Sequence, residues 1–318
     1  MPKDSNIQIF GRKYTLKSLQ AVYQAVLDEF FSGARGITSC ALSEESIAFK
    51  VRYVFELLRV LSLSPISRDT YIVDFGCERG DMLALLQRIG FTRLCGINLT
   101  QYDPRWLVDE RYFNILFGDK PGKIQYLTWD MDNSRLPLRN DEVSIAILSD
   151  VLEHLSNPGW VLSEINRVLV EGGLAVIGTP NIASIRNRLY LLFGRSLHPD
   201  LETWLSTRFR LDGRYIGHTR EYTLDELKRL MQIYGFKPLR CCFVPTLTIS
   251  KDMKVGNIRV SPFMFKLYDF FEKIWPGGRH RIIIVSQKTN DDIEPLWVPV
   301  PQDALLSRKL LRTRANET

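Results

Sequence analysis

No apolar run reaches the roughly 18 residues that a membrane-spanning helix needs, so nothing in this chain is expected to cross a bilayer as a helix. The first residues, Met-Pro-Lys-Asp-Ser-Asn, lack the apolar core of a signal peptide. Cysteine is scarce: Cys40, Cys77, Cys95, Cys241 and Cys242 are odd in number and show no metal-type pairs. They read as small buried hydrophobes in a reducing compartment. There is no internal repeat and no low-complexity tract. These absences point to a soluble cytoplasmic protein. The Gly-x-Gly-x-x-Gly fingerprint is also missing, which counts against a dinucleotide-binding oxidoreductase, because the pyrophosphate needs those close backbone approaches. No RNA-binding module and no basic stripe with regular aromatics appears, so nucleic acid is not an expected partner.

What the chain does have is concentrated between Tyr71 and Leu86. An apolar run, Tyr71-Ile72-Val73, meets Asp74, and Gly76 and Gly80 follow at a spacing of four. The apolar pattern then changes to helical spacing at Met82, Leu83, Leu85 and Leu86. A strand, a tight glycine turn and a helix are expected, the first unit of a doubly wound α/β sheet. Asp74 would sit at the carboxyl edge of that sheet, where ligands bind in open α/β folds. Gly76 would let the backbone approach a ligand, and Gly80 would let the helix start close against the strand.

This stretch resembles the Asp-x-Gly-x-Gly-x-Gly signature of class I S-adenosylmethionine (SAM) methyltransferases, with Glu78 in place of the middle glycine. The downstream pieces keep the family's order. Residues 93–98 read as the second strand and end in Asn98, where the family usually has an acidic residue that takes both ribose hydroxyls; an amide forgoes the stronger charge-assisted bond. Residues 123–129 read as a third strand followed by Asp130 and Met131, positions that in the family face the adenine. A fourth strand, residues 143–148, is followed by Ser149-Asp150-Val151-Leu152-Glu153-His154-Leu155. With the preceding Leu136-Pro137-Leu138 this resembles the ubiquinone-biosynthesis and type 11/12 branch, departing at Ser144, where aspartate is usual. The resemblance implies a doubly wound, seven-stranded, mostly parallel sheet and SAM as cofactor. The residues it implies for the cofactor are Asp74, Gly76, Cys77, Gly80, Asn98, Leu99, Asp130, Met131 and Ser149.

A helix after Asn157-Pro158-Gly159 carries Val161, Leu162, Ile165, Val168 and Leu169 on one face and is expected to end at Gly172-Gly173. A fifth strand is expected over residues 174–178. Thr223 to Glu226 is a capping box opening another helix, with Gly235-Phe236 closing it. The last two strands are expected over residues 237–244 and 281–286, one of them antiparallel as the family shows. The expected organisation is an N-terminal helical segment over residues 1–68, a methyltransferase domain over 69–288 with a substrate-side insertion over 181–222, and a loose tail over 289–318. Ile47, Val51, Val54, Leu57, Leu58 and Leu61 give the N-terminal segment one apolar face after a Ser43 cap. That helix either packs on the sheet or covers the cofactor.

The net charge of +6 is unevenly spread: residues 185–220 hold seven arginines against two aspartates and one glutamate. This is either a solvated face or the mark of an anionic partner, such as a phosphate-bearing substrate or a membrane surface. The long connector over residues 181–222 points to function. Its ending, Gly217-His218-Thr219-Arg220-Glu221-Tyr222-Thr223, together with Thr179-Pro180-Asn181, resembles methyltransferases of polysaccharide and glycolipid biosynthesis. A sugar hydroxyl on a glycan or glycolipid is the expected acceptor, with Asn181, His218, Arg220 and Tyr222 as its contacts. His154, after the fourth strand, is the expected general base; alternatively it is a packing residue, or it joins Asp150 and Glu153 in a divalent-ion site that the Asp-x-x-Glu-His spacing resembles. A quinol or phenol acceptor, and a non-catalytic scaffold of the same fold, remain the other readings. Residues 263–275, rich in Phe, Lys and Trp, are expected to form a helix that packs before the last strand or rests on a membrane.

Overall fold

The computed structural model describes residues 6–31, 44–99, 116–118, 122–198, 217–245, 254–255, 258–259 and 262–290. A hairpin of β1 (Ile7–Ile9) and β2 (Arg12–Tyr14) is followed by α1 (Leu16–Phe31) and α2 (Glu44–Leu61). Then come β3 (Ile72–Phe75), α3 (Asp81–Ile89), β4 (Leu94–Asn98), β5 (Gln125–Thr128) and β6 (Val143–Ser149). After α4 (Pro158–Val168) the chain forms β7 (Leu169–Pro180), α5 (Ile185–Leu192), α6 (Leu224–Ile233) and β8 (Phe236–Val244). A two-residue pair, β9 (Lys254–Val255) with β10 (Ile258–Arg259), precedes α7 (Pro262–Ile274) and β11 (Arg281–Lys288).

Seven strands form one sheet in the order β5-β4-β3-β6-β7-β11-β8. The pairs from β5 to β7 are parallel, whereas β11 runs antiparallel to both β7 and β8. This is the expected doubly wound sheet, with its one reversed strand. The central strands are apolar on both faces, as a parallel sheet covered by helices on each side must be. Ile72, Ile145, Ile147, Val176 and Ile283 pack into one apolar cluster with α1, α2 and α3. Val73, Phe75, Ala146, Leu148, Ile177 and Ile284 pack into the other, with α4 and α6.

One expectation is corrected. The glycines Gly172 and Gly173 do not cap α4: the helix stops at Val168, Leu169 turns extended, and Leu169 pairs with Val143. The glycines therefore lie inside β7, where the β6 register shifts between Val143 and Ile145; Gly172 has φ +72° there. The N-terminal segment is mostly helical and packs on the sheet. It begins with a hairpin, and Ile7, Ile9, Leu19, Phe49, Val54 and Leu58 share one core with Leu83 and Leu86 of α3. Ser43 and the tail beyond residue 290 lie outside the described residues.

The α2 helix does more than cover the sheet. The Tyr53 hydroxyl donates to the Val176 carbonyl of β7 and accepts from the Leu148 amide of β6, at 3.2 Å. Gly178 leaves room for this approach, since a Cβ there would come within 2.7 Å of the Phe49 ring and 2.9 Å of the Tyr53 ring.

Candidate functional site

The glycine turn after β3 crosses the end of β4: the amides of Gly76 and Cys77 both donate to the Ile97 carbonyl, at 2.7 and 3.2 Å. Gly76 and Gly80 have φ of +85° and +76°, a region where a side chain is strained. A Cβ on Gly76 would fall 2.4 Å from Val151, and one on Gly80 2.3 Å from Phe117. Glu78, in the place of the middle glycine, also takes a positive φ of 47° and points outward. The departure therefore preserves the turn's backbone at the cost of an unfavourable conformation, about 1–2 kcal/mol for a side-chain-bearing residue. Cys77 turns its thiol inward onto Gly96, where a Cβ would come within 2.6 Å of Sγ; only its main chain can face a ligand.

Asp74 is 2% exposed, and its Oδ1 has no hydrogen-bond partner among the described residues. Burial pushes its carboxyl up to about 8, against the pull of the Lys50 ammonium. The Oγ of Ser149, at the end of the adjacent strand β6, is also buried without a partner. Asn98 ends β4, and its carbonyl accepts from the Trp129 amide at 2.8 Å, which brings the start of the Asp130–Met131 turn alongside. Asn98 and Leu99 are half-buried; Met131 is buried, and the Asp130 carboxylate accepts from Asn133 at 3.2 Å. All the residues expected to hold the cofactor thus lie on or beside the carboxyl ends of β3 to β6. The two orphaned buried oxygens and the glycine turn fit a polar, cationic cofactor such as SAM. A linked proton follows. With Asp74 protonated at neutral pH, binding a cation beside it favours the carboxylate, so SAM binding should release a proton and tighten as pH rises toward 8. Calorimetry in buffers of different ionisation enthalpy measures that proton, and a buffer-independent heat would contradict the assignment.

Sequence reasoning missed the group that holds this turn in place. The first residue of α3, Asp81, is buried; its carboxylate receives Lys50 Nζ of α2 at 3.0 and 2.9 Å and the Tyr23 hydroxyl of α1. Burial opposes its ionisation, but Lys50 and then Arg79 hold it below the ordinary carboxylate range. Lys50 Nζ also lies 3.6 Å from Glu78.

After β6 the chain turns through Asp150, at φ 55°, into the short 3-10 turn Leu152–His154. This turn docks on the end of the insertion: the Thr219 amide and hydroxyl donate to the Glu153 carbonyl at 2.7 and 3.0 Å. His154 Nδ1 lies 3.2 Å from the Gly217 carbonyl, and its ring meets the His218 ring edge-on at 4.9 Å. His218 Nδ1 lies 2.8 Å from Glu221 Oε1. Glu153 is buried; its Oε2 accepts from Thr179 at 3.0 Å, and its Oε1 has no partner among the described residues. Burial and then Asp150 push its carboxyl up to about 8.

Of the expected acceptor contacts, only His218 comes together with His154. Asn181 is 1% exposed and its side chain is fully engaged, donating to the Gly277 and Arg279 carbonyls at 2.9 and 2.8 Å and accepting from Ala183. Tyr222 is buried and bridges to Asn181. Arg220 reaches Glu226 at 2.8 Å, outside the cluster. The expected metal set is also redrawn. Asp150 pairs with Arg281, and the described residues whose ligand atoms gather within 4.8 Å are Glu153, His154 and His218. Residues 199–216 of the insertion, with Trp204, Phe209 and Tyr215, lie outside the described residues.

A family model described as a methyltransferase domain matches residues 48–240, more than half of the chain. A mitochondrial ubiquinone biosynthesis O-methyltransferase of Dictyostelium discoideum is 23% identical over 143 residues, covering 42% of this chain and 44% of that relative. Among solved structures, a Haloferax volcanii methyltransferase in complex with the Trm112 activator has a TM-score of 0.49 at 17% identity, covering 79% of this chain and 96% of its own. A Burkholderia thailandensis 1,6-didemethyltoxoflavin-N1-methyltransferase with S-adenosylhomocysteine bound has a TM-score of 0.46 at 16% identity, covering 91% and 97%. With this family match laid over the strand order and the glycine turn, the chain belongs to the methyltransferase-domain family and has the doubly wound fold of class I, SAM-dependent methyltransferases.

Proposed function

We propose that this enzyme methylates a hydroxyl oxygen of a small molecule or glycan, the acceptor being a sugar of a polysaccharide or glycolipid precursor. One observation carries the reading: His154 stands at the carboxyl end of β6 with its Nδ1 against the Gly217 carbonyl. A carbonyl only accepts, so Nδ1 bears the proton and Nε2 is the basic nitrogen. SAM, when bound, supplies an electrophilic methyl on a sulfonium, which leaves as the neutral thioether S-adenosylhomocysteine. His154 Nε2 takes the proton of the acceptor hydroxyl as its oxygen forms the new bond to the methyl carbon. Asp74, Asn98, Asp130 and Ser149 hold the cofactor, and the glycine turn fixes its distance from the acceptor, where most of the rate gain of an in-line transfer lies. The 217–222 loop frames the acceptor through His218, and the resemblance of that loop to glycan-pathway enzymes supports the sugar.

The Dictyostelium relative, named for O-methylation in ubiquinone biosynthesis, supports transfer to oxygen and keeps a quinol or phenol as the second reading. A methyl-transfer screen with labelled SAM decides between them, setting lipid-linked and nucleotide-linked sugars against quinols and small phenols. Transfer to the second group alone would refute the sugar.

The Glu153, His154 and His218 cluster offers an alternative role for the histidine. Its donor set suits zinc, and the partnerless Oε1 of Glu153 is a ligand atom in waiting. A cation held there would supply positive charge at the acceptor oxygen in place of a base. The two roles separate cleanly. With His154 acting as a base, activity should survive chelator, and equilibrium dialysis should find no bound zinc; stoichiometric zinc lost in His218→Ala would overturn that role.

A further inference from the structure

Among the described residues lies an apolar surface that none of the others covers. The exposed end of α5 presents Leu191, Leu192 and Phe193, at 59%, 75% and 65% exposure. Beside it, α7 and the residue after it present Phe270, Phe271, Ile274 and Trp275, from 41% to 59% exposed. The two helices touch: the Arg188 guanidinium of α5 lies 4.9 Å from the Trp275 ring, and Gly278 packs on Ile185 closely enough that a Cβ would fall 2.6 Å from it. These seven are most of the twelve large exposed apolar side chains among the described residues, so the surface is a patch and not scatter.

The charges around it have one prevailing sign. Lys266 and Lys273 of α7 are exposed, as is Arg188. From Ile182 to His198 the sequence holds three arginines and no acidic residue. Of the two acidic residues of α7, Asp269 and Glu272, Glu272 is turned inward: it is 3% exposed and accepts from the Tyr268 hydroxyl at 3.1 Å. Aromatic and leucine side chains framed by lysine and arginine are the composition of an interfacial surface that lies on an anionic bilayer. No helix of the described residues is long and apolar enough to cross a membrane, so the contact would be superficial.

We infer that the face formed by α5 and α7 docks the enzyme onto an anionic lipid surface. The face is wired to the site. Asn181, at the end of β7, donates to the carbonyls of Gly277 and Arg279 in the turn that follows α7, and its own amide donates to the His280 carbonyl. Docking would therefore hold the carboxyl edge of the sheet, and the 217–222 loop with it, near the headgroups. That deepens the reading of a glycolipid acceptor, yet lipid binding is measured without any acceptor, so the two stand or fall separately.

The test is sedimentation of the full chain with sucrose-loaded vesicles, of phosphatidylcholine alone and of phosphatidylcholine mixed with phosphatidylglycerol. The protein should pellet with the mixed vesicles, bind phosphatidylcholine at least about tenfold more weakly, and be released by salt. The double variant Leu192→Glu/Phe270→Glu should bind at least about tenfold more weakly, and Lys266→Glu/Lys273→Glu should lose the preference for the anionic lipid. All four side chains are exposed, so thermal melting and SAM binding should be unchanged in both variants. No pelleting of the wild type, or pelleting that the variants do not alter, overturns the inference. So does a dimer in analytical ultracentrifugation that Leu192→Glu/Phe270→Glu converts to a monomer without lipid, since the face would then join two copies of the chain.

Discussion

Replacing His154 by alanine is expected to lower turnover about 100- to 10,000-fold while leaving SAM affinity nearly unchanged, the range for loss of a general base. The separation is structural. His154 belongs to the 3-10 turn after β6, held by Gly217 and Thr219 of the insertion, whereas the residues fitted to the cofactor line the ends of β3 to β5 and the start of the turn itself. His154→Gln, which keeps a donor toward the Gly217 carbonyl, should restore packing without restoring the rate. Full activity in the alanine variant on the true acceptor would leave His154 a packing residue.

Replacing Lys50 by methionine is expected to destabilise the fold by about 3–5 kcal/mol, since it strands the buried Asp81 carboxylate. Asp81 is held below its ordinary range in the folded state, so its contribution is present above the unfolded carboxylate value near 4 and is lost as pH falls. Without Lys50 the folded carboxyl rises instead. The deficit of the variant should accordingly be greatest at neutral pH and shrink toward pH 4 in urea titrations. Asp81→Asn on the Lys50→Met background should recover part of the loss, because an amide carries no charge to strand. SAM affinity should fall with Lys50→Met as well, since Asp81 opens α3 directly behind the glycine turn. A loss below about 1 kcal/mol would show that the pair is no more than a surface contact.

The parts of this fold that were legible in the sequence are those whose information is local. β3, the glycine turn and α3 lie within eighteen residues and announce themselves by a change of apolar period. The capping box is complete in four residues and forms as expected, with the Thr223 hydroxyl accepting from the Glu226 amide at 3.2 Å. What was illegible is assembled across distance. Lys50 and Tyr23 reach Asp81 over 31 and 58 positions, and nothing in either helix marks the one lysine or tyrosine that turns inward. His218 joins His154 only because the insertion folds back on the β6 turn. Arg220, expected at the acceptor from the resemblance of its loop and the arginine excess, pairs with Glu226, six residues on, a contact the charge pattern alone did not mark. The strands β1 and β2 are three residues each, too short to show alternation. At Gly172 and Gly173 a signal valid for helix ends was outweighed by strand pairing at Leu169.

The Tyr53 hydroxyl has a consequence for the order in which the sheet is completed. It meets both the Leu148 amide of β6 and the Val176 carbonyl of β7, so a side chain of α2 shares in one rung of the central ladder. Those two groups gain this extra partner only once that helix is seated, although α2 precedes both strands by more than eighty residues. Slow exchange of the Leu148 amide with solvent deuterium would therefore report the seating of a helix as well as the strength of a strand.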